Sequence, residues 1–317
     1  MQFQPQGKPS LGVVFDADLG NTIDDALALA MLYGFQGKNE ARVLSISTTK
    51  NSLQAATFAD ILVRFYTGEP GPFASVIPIG LCLTGKMAAG NPMLDAVVSD
   101  TKYPRSITKM NETADPQAVI RNALSAQVDQ NAVVVLTGPA TNLAALLALP
   151  LDPALIAKKA QKLVIAADPL TLSDVPAIRR VFAEWPTPVV VAGAELGEAF
   201  PFPGVSIEKD FTWSEAHPLV AAYKAFHEMP YDAAAPAMAA ALYAVRPQEN
   251  YFKVSEAGTF TVGDDGKLKH TPGAGGKHKA LIADPSQKEK IQQIYAEMAS
   301  TKPVPRAQRF RPPQKKQ

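Results

Sequence analysis

Four aspartates lie close together near the start of the chain, in the segment DADLGNTIDD. Asp16, Asp18, Asp24 and Asp25 fall within ten residues, and no Lys or Arg interrupts them. Carboxylates held this close repel one another, so a buried cluster must be protonated, paired with bases or neutralised by a cation. Calcium and magnesium prefer oxygen ligands, and calcium accepts about six to eight of them in flexible geometry. The spacing therefore predicts a divalent-metal site, with calcium as the expected ion.

A simpler interpretation accounts for half of this cluster. Asp24 and Asp25 are also expected in the first turn of a helix capped by Thr22, where carboxylates stabilise the positive end of the helix dipole. That interpretation leaves Asp16 and Asp18 unexplained. Both interpretations stay open from these residues alone.

The aspartates sit between a predicted strand and a predicted helix. Residues 11–17 (LGVVFDA) are apolar and favour a strand, and a Gly-Asn-Thr turn leads into the buried helix pattern IDDALALAMLYGF. The same alternation continues along the chain and predicts an α/β fold, a mostly parallel open sheet with helices on both faces. In such sheets, ligands bind beyond the carboxyl ends of the strands, which is where the aspartates lie. Further strands are predicted at 42–48, 131–137, 161–167 and 187–192, and helices near 52–67, 141–149, 175–184 and 195–199.

The remaining segments have weaker patterns. Residues 68–110 are rich in Gly, Pro and Ser, which predicts a long surface excursion. Alternating residues over 251–283, with an Asp-Asp-Gly turn, predict a small antiparallel addition before a last helix near 286–299. We expect one domain over 1–300, followed by a disordered, basic and proline-rich tail over 301–317.

Composition narrows the classes of function. With 47% hydrophobic residues in a 317-residue chain, a large core is expected. Lys plus Arg (31) nearly balances Asp plus Glu (30), so no overall field favours nucleic acid or an anionic membrane surface. The single cysteine, Cys82, cannot form an intramolecular disulfide. No signal-like or membrane-spanning run is present, which makes a cytoplasmic location the expectation.

Four segments, in order, resemble the nucleoside hydrolase family. DADLGNTIDDALAL resembles the family's Asp-x-Asp, glycine turn and Asp-Asp-Ala signature, although five residues rather than three separate the second and third aspartates and Leu19 replaces a proline. SISTTKNS resembles the second-strand motif Thr-Thr-x-x-Asn, one residue shorter, and ends near Asn51. VVVLTGPATNLA matches Thr-Gly-Pro-x-Thr-Asn, which begins at Thr137. Residues 230–247 resemble the last metal segment, with Asp232 as its acid and Tyr231 where many members have histidine.

The resemblance implies a specific site. Asp18, Asp25, Asp232 and the carbonyl of Thr137 would hold one Ca²⁺, and Asp18 would take a proton from the attacking water. Asp24 and Asn51 would bind ribose hydroxyls, and Tyr231 or His227 would protonate the departing base. The expected reaction is hydrolysis of the N-glycosidic bond of a small-molecule ribonucleoside or related riboside, through a transition state of oxocarbenium type. Dimers or tetramers are also implied.

The sequence departs from the family after the 161–167 strand. No Glu-Phe-Asn segment follows, and the loop that binds the outer ribose hydroxyls is shortened, with Asp168, Ser173 and Asp174 as partial substitutes. Asp174 followed by Pro176 is explained more simply as a helix start. This loss leaves a second hypothesis open, a family-like protein that binds metal and a ribosyl group with little or no hydrolysis.

A third hypothesis is a phosphatase of the haloacid-dehalogenase type. VVFDADLGNT resembles its strand ending in Asp-x-Asp, with Asp16 as the nucleophile. However, Gly20 stands where that class has Thr or Val. Elsewhere, Phe211 and Trp213 could stack on a base, but aromatic residues beside a helix start are more often packing residues.

Overall fold

The computed structural model describes residues 10–68, 77–85 and 91–303. Ten strands and twelve α-helices lie in this part of the chain. The strands are β1 (Leu11–Ala17), β2 (Ala41–Thr48), β3 (Ile79–Leu81), β4 (Ala132–Leu136), β5 (Ala160–Ala167), β6 (Val189–Gly193), β7 (Lys253–Val254), β8 (Gly258–Val262), β9 (Leu268–Pro272) and β10 (His278–Ile282). The helices are α1 (Asp24–Gly37), α2 (Leu53–Thr67), α3 (Pro92–Val98), α4 (Pro116–Ser125), α5 (Thr141–Leu147), α6 (Asp152–Lys159), α7 (Val175–Glu184), α8 (Ala194–Ala199), α9 (Val205–Lys209), α10 (Pro218–Phe226), α11 (Pro236–Val245) and α12 (Lys288–Ala299).

One mixed sheet organises these elements. Its strand order is β3-β2-β1-β4-β5-β6-β10-β8-β9, with β7 also paired to β10. The strands from β3 to β6, together with β10, pair in parallel, whereas β8, β9 and β7 are antiparallel additions. The predicted α/β class and the antiparallel addition near the C-terminus are therefore confirmed.

Helices cover both faces of the sheet. Alternate residues of β1 belong to different cores, since Val13 and Phe15 pack in one cluster and Val14 packs in the other. The first cluster includes α1, α2, α11 and α12, and the second includes α5 and α7. Burial on both faces explains why β4 is a continuous apolar run, AVVVL, rather than an alternating strand.

Most predicted boundaries lie within two residues of the observed ones. The 68–110 region is the exception, because its described part contains β3 and α3 rather than only a surface excursion. β3 is buried and extends the parallel sheet beside β2. A three-residue strand between Gly- and Pro-rich segments leaves too short an apolar run to be recognised in the sequence. Residues 69–76, 86–90 and the predicted tail after 303 lie outside the described residues.

Two further expectations concern packing and the membrane. Phe211 is 2% exposed, and the indole nitrogen of Trp213 donates to the Ser300 carbonyl at 2.8 Å, so both aromatics are packing residues. None of the described helices combines the length and the apolar character needed to cross a lipid bilayer.

Helix α1 is buried almost all round and packs closely on α12. A Cβ placed on Gly34 would lie 2.1 Å from the carbonyl oxygen of Met298, a contact with backbone that cannot swing away. We expect Gly34→Ala to lower the free energy of unfolding by roughly 1–3 kcal/mol, because the two helices must move apart. Urea denaturation measures this change.

Gly37 provides the matched control in the same helix. A Cβ there meets nothing closer than the Thr301 methyl at 3.9 Å. Gly37→Ala should be neutral or stabilise the protein by up to about 1 kcal/mol, because alanine favours helix. Equal effects of the two substitutions would contradict the close α1–α12 contact.

A second stability prediction concerns His217, whose ring lies among Phe65, Phe211 and Trp213. Burial lowers the pKa of His217 to about 3. In the unfolded chain, this histidine becomes protonated below its ordinary pKa of about 6.5, whereas in the folded protein it stays neutral down to about pH 3. The stability of the folded state is therefore highest above about pH 6.5 and decreases as the pH falls towards about 3. From about pH 7 to about pH 5, we expect this residue to cost about 2 kcal/mol of stability.

His217→Phe should remove that part of the pH dependence while keeping an aromatic ring in place. Urea denaturation of both proteins at the two pH values measures the difference. The exposed His227 supplies the control, since His227→Phe leaves the buried ring intact. An unchanged pH dependence in His217→Phe would show that the buried imidazole is not its source.

Candidate active site

The site lies at the carboxyl ends of the central strands. In the observed order, β1 has β2 on one side and β4 on the other, which makes the β1–β4 boundary the point where the strand order reverses. Ligands of open α/β sheets bind in the crevice at such a point. Asp18 follows β1, Lys50 follows β2, Thr137 follows β4 and Asp168 follows β5.

All four aspartates of the predicted cluster are buried. Asp16, Asp18, Asp24 and Asp25 are each at most 4% exposed. Helix α1 begins at Asp24, so Asp24 and Asp25 lie in its first turn, where the helix dipole favours negative charge. The residue before the helix is Ile23, and Thr22 does not cap it but donates its hydroxyl hydrogen bond to the Asp24 carboxylate.

Asp16 has a structural position within the cluster. The Asn142 amide donates to Asp16 Oδ1 at 2.8 Å and to the Thr48 carbonyl at 3.1 Å, which ties α5 to both β1 and β2. Burial raises the pKa of Asp16 to about 7.

Asp18 forms an ion pair with a lysine that follows the neighbouring strand. Lys50 Nζ lies 3.3 Å from Asp18 Oδ1, with both side chains about 5% exposed or less. The Asn21 side-chain amide donates to the other Asp18 oxygen. Burial raises the pKa of Asp18, while Lys50 and Asn21 lower it and so favour the ionised form.

Asp24 and Asp25 connect the cluster to other elements. The backbone N–H of Ala237, in the first turn of α11, donates to Asp24 Oδ2 at 3.1 Å. Burial raises the pKa of Asp24 to about 6. Burial and the charges of Asp24 and Asp18 raise the pKa of Asp25 well above its usual value, and the Thr137 side chain opposes this shift.

The loop after β4 lies directly against this cluster. A Cβ on Gly138 would lie 2.3 Å from Thr49 Oγ1 and 2.7 Å from Asp18 Cβ. Glycine therefore allows the β4 loop to approach the β1 and β2 ends, which places Thr137 beside Asp25. The Thr-Gly segment identified in the sequence thus contributes to the site.

Asp232 is not brought into the cluster. Its side chain is exposed, and Asp232 Oδ1 accepts a hydrogen bond from the Gly204 N–H at 2.8 Å. Ala233 pairs with Phe202 through backbone hydrogen bonds of 2.8 and 3.1 Å, which hold Asp232 near Gly204. Ala235, not an aspartate, precedes α11, so three alanines separate Asp232 from the helix that reaches the cluster.

These positions do not fit the predicted calcium ligand set. Asp18, Asp25 and Thr137 are together, but Asp232 lies elsewhere and Lys50 brings a positive charge against Asp18. Within residues 10–68, 77–85 and 91–303, no group of three or more His, Cys, Asp or Glu side chains has an arrangement suited to a metal ion. Calcium binding itself stays a prediction.

Tyr231, the predicted leaving-group acid, is engaged elsewhere. Its hydroxyl donates to the Tyr223 carbonyl at 2.7 Å, the Tyr223 hydroxyl donates to the Tyr231 carbonyl at 2.8 Å, and the two rings stack with centroids 4.3 Å apart. Burial and Tyr223 raise the pKa of Tyr231, which makes the phenol a weaker acid. His227, the other predicted donor, is exposed and lies edge-on to Tyr231 with ring centroids 5.3 Å apart.

Asn51 lies close to the loop after β3. Its amide nitrogen donates to the Leu83 carbonyl at 3.1 Å, whereas Asn51 Oδ1 is buried and has no hydrogen-bond partner among the described residues. An unpaired buried oxygen is available to accept from a ligand hydroxyl. Its predicted role in binding sugar stays a prediction.

The loop after β5 is short, as the sequence indicated. It forms a single 3-10 turn, Thr171–Ser173, and Asp174 then caps α7 by accepting from the Ala177 N–H at 3.2 Å. The helix-start interpretation of Asp174 is therefore confirmed. Asp168 lies close enough to the cluster for its charge to contribute to the raised pKa of Asp18, Asp24 and Asp25, and its Oδ1 accepts a hydrogen bond from the Thr171 N–H.

A cavity of about 590 Å³ lies beside Asp168, between the ends of β5 and β6 and the β8–β9 hairpin. Its polar lining includes Glu195, Asp265, Lys267 and His270. Asp168 lines this cavity and its charge also acts on the buried aspartates, so it is the residue that links the two. The sequence suggested Asp168 but gave no sign of the cavity, since the hairpin is distant along the chain.

The structure defines an α/β protein with a doubly wound sheet and a buried acidic cluster where its strand order reverses. This is the fold of nucleoside hydrolases, as the sequence motifs predicted. A plant nucleoside hydrolase, PpNRh1, superposes with a TM-score of 0.68 and 20% identity, over 92% of this chain and 100% of that one. A purine-preferring ribonucleoside hydrolase from Gardnerella vaginalis gives 0.68 and 18%, over 91% and 98%.

A third similar structure is the type III effector protein XopQ complexed with adenosine diphosphate ribose. It superposes with a TM-score of 0.65 and 12% identity, over 94% of this chain and 96% of that one. No protein-family profile matches this sequence, and no curated protein matches it. At these identities, the shared feature is the fold.

The Asn142 side chain offers a test of how the cluster is held together. We expect Asn142→Ala to lower the free energy of unfolding by about 1–3 kcal/mol, because Asp16 and the Thr48 carbonyl lose a buried donor. Asn122→Ala, on the exposed side of α4, is the control. Urea denaturation compares the two, and equal stability would show that the Asn142 hydrogen bonds contribute nothing net.

Proposed function

We propose that this protein hydrolyses the N-ribosidic bond of a nucleoside or related small riboside over its acidic cluster. The observation that carries the proposal is the burial of Asp18, Asp24 and Asp25 together where the strand order reverses. The fold shared with solved nucleoside hydrolases supports the same class of reaction.

The reaction needs a proton acceptor for the attacking water and negative charge close to the sugar. Breaking the bond between the anomeric carbon and the base nitrogen leaves positive charge on the sugar, which nearby carboxylates stabilise. Water forms the new bond to the anomeric carbon, and Asp18 takes a proton from the water. The electrons of the broken carbon–nitrogen bond leave with the nucleobase. Lys50 supports this role of Asp18 because it favours the ionised carboxylate, the form that accepts a proton.

The ligand is proposed to approach through the cavity beside Asp168. Its volume of about 590 Å³ lies in the range of small-molecule pockets, roughly 300–1,000 Å³. The departing base would occupy the side formed by Glu195 and the β8–β9 hairpin. Tyr231 is not assigned as proton donor, because its hydroxyl is bonded to Tyr223.

The family resemblance also predicts a calcium requirement and an oligomer, and neither is needed for the reaction proposed here. The chemistry above uses no metal step, because the residues around Asp18 do not fit the predicted calcium ligands. The experiment below therefore compares the reaction with and without calcium. The dimer or tetramer implied by the family resemblance also stays a prediction.

A second candidate function is the binding of a ribosyl compound with little or no hydrolysis. The single short turn after β5 favours it, since that loop holds no Glu-Phe-Asn segment to bind the outer ribose hydroxyls. XopQ, a solved structure of this fold, is complexed with adenosine diphosphate ribose, which supports this candidate. Such a protein would bind nucleosides or adenosine diphosphate ribose and release no base.

Incubation with a panel of purine and pyrimidine nucleosides tests the proposal. Base release, followed by chromatography, should occur with at least one nucleoside, both with a chelator and with calcium. Asp25→Asn should lower kcat/KM on the order of 100-fold or more, because a carboxylate close to the developing sugar cation is lost. Asp129→Asn, which changes an exposed carboxylate, is the control and should retain activity.

The outcomes separate the two candidates. Thermal stabilisation by a nucleoside or by adenosine diphosphate ribose, without base release under either metal condition, would replace the hydrolase by the binding protein. Neither binding nor release would exclude both. Base release that requires calcium would restore the metal-dependent form of the reaction.

A further inference from the structure

We propose that the Lys50 ammonium group takes the place of a divalent metal ion in this site, so that negative charge of the acidic cluster is offset from within the chain. The proposal concerns the same cluster and rests on the proposed function for its importance. Metal binding and stability test it without any turnover, so its failure can be distinguished from failure of the proposed hydrolysis.

The position of the ammonium group is the first observation. Lys50 Nζ lies 3.3 Å from Asp18 Oδ1, and the two side chains are 5% and 4% exposed. The Asp25 charge also acts on Lys50. Calcium binds carboxylate oxygens at about 2.3–2.6 Å, so an ion on Asp18 Oδ1 would stand close to this ammonium group and repel it.

The backbone around Lys50 is tightly held. The Lys50 carbonyl accepts from the Ser52 N–H at 3.0 Å and from the Thr48 hydroxyl at 3.4 Å. On the other side, a Cβ on Gly85 would lie 2.6 Å from the Thr49 carbonyl and 2.8 Å from Lys50 Cα. The start of the lysine side chain is therefore held between two loops at the sheet end where Asp18 lies.

An independent observation comes from the opposite side of the cluster. The first turn of α11 reaches Asp24 through the Ala237 N–H, yet the residues there are Ala235, Pro236 and Ala237, which have no ligand atoms in their side chains. Asp232, the acid expected to complete a metal site, is exposed and bonded to Gly204. The helix thus contributes a backbone donor to the cluster rather than a carboxylate.

Compared with the predicted calcium ligand set, this site lacks the Asp232 carboxylate and gains the Lys50 ammonium group. Together these two differences equal the charge of the ion. Removing one carboxylate from the cluster and adding one ammonium group changes its charge by two positive units. This is the charge that Ca²⁺ would bring. A buried carboxylate cluster needs such compensation, and a lysine fixed in the chain supplies it at any metal concentration.

Calcium titration of the full-length protein is the first test. We expect no stoichiometric heat of binding by calorimetry at calcium concentrations up to about 1 mM, and the same melting temperature with calcium and with a chelator. Binding of one calcium ion per chain at micromolar concentration would overturn the proposal.

Lys50→Met is the second test, because methionine keeps a similar length without the charge. Its melting temperature should fall by roughly 5–15 °C, since Asp18 loses its buried partner. Adding Asp18→Asn to Lys50→Met should recover much of that loss, because the uncompensated charge is removed. A calcium-dependent rise in the melting temperature of Lys50→Met, absent from the wild type, is also expected.

Lys162→Met is the matched control. Lys162 is a partly buried lysine on β5 that lies over the Tyr243 ring at 5.3 Å, away from Asp18. The Lys162→Met protein should not be stabilised by Asp18→Asn, and its melting temperature should not change with calcium. A Lys50→Met protein as stable as Lys162→Met, or one that Asp18→Asn does not rescue, would show that Lys50 does not neutralise the cluster.

Discussion

The burial of several carboxylates at one sheet edge is the constraint on which the rest of this site depends. Each carboxylate loses water when it is buried, and each raises the pKa of its neighbours, as Asp25 shows most strongly. The protein meets this cost in three ways that are visible in the structure. Asn142 and the α11 backbone donate hydrogen bonds, the first turn of α1 offers its dipole, and Lys50 pairs with Asp18.

Much of the fold could be predicted because its pattern is local. The strand over 11–17 and the helix over 175–184 were placed at their observed boundaries, since an apolar run and a Pro after a capping Asp are both contained in a few residues. β3 was not recognised, because three buried residues form a strand only through pairing with β2. Helix α11 was also missed, since its alanine-rich sequence resembled a ligand segment rather than a buried helix.

The site was predicted in part for the same reason. The aspartates near β1 are neighbours in sequence, so their convergence followed from the strand position. The placement of Lys50 is set by the register of β2 against β1, where Ala17 lies opposite Thr48. That register brings the residues after both strands together, and the shortened Thr-Thr-Lys-Asn motif was the available signal. Asp232 is held near Gly204 by the pairing of Ala233 with Phe202, which no local pattern in the sequence indicated, and its role as a metal ligand stays a prediction.

The close approach at Gly138 also limits how this protein could diversify. The ends of β1, β2 and β4 are in contact there, so any side chain larger than glycine at position 138 would displace Asp18 and Thr49. The ends of β5 and β6 and the β8–β9 hairpin instead border open volume, where added residues would cost little. Related chains that differ in ligand preference are therefore expected to vary in length on the hairpin side, and laboratory evolution of new specificity has its best starting point there.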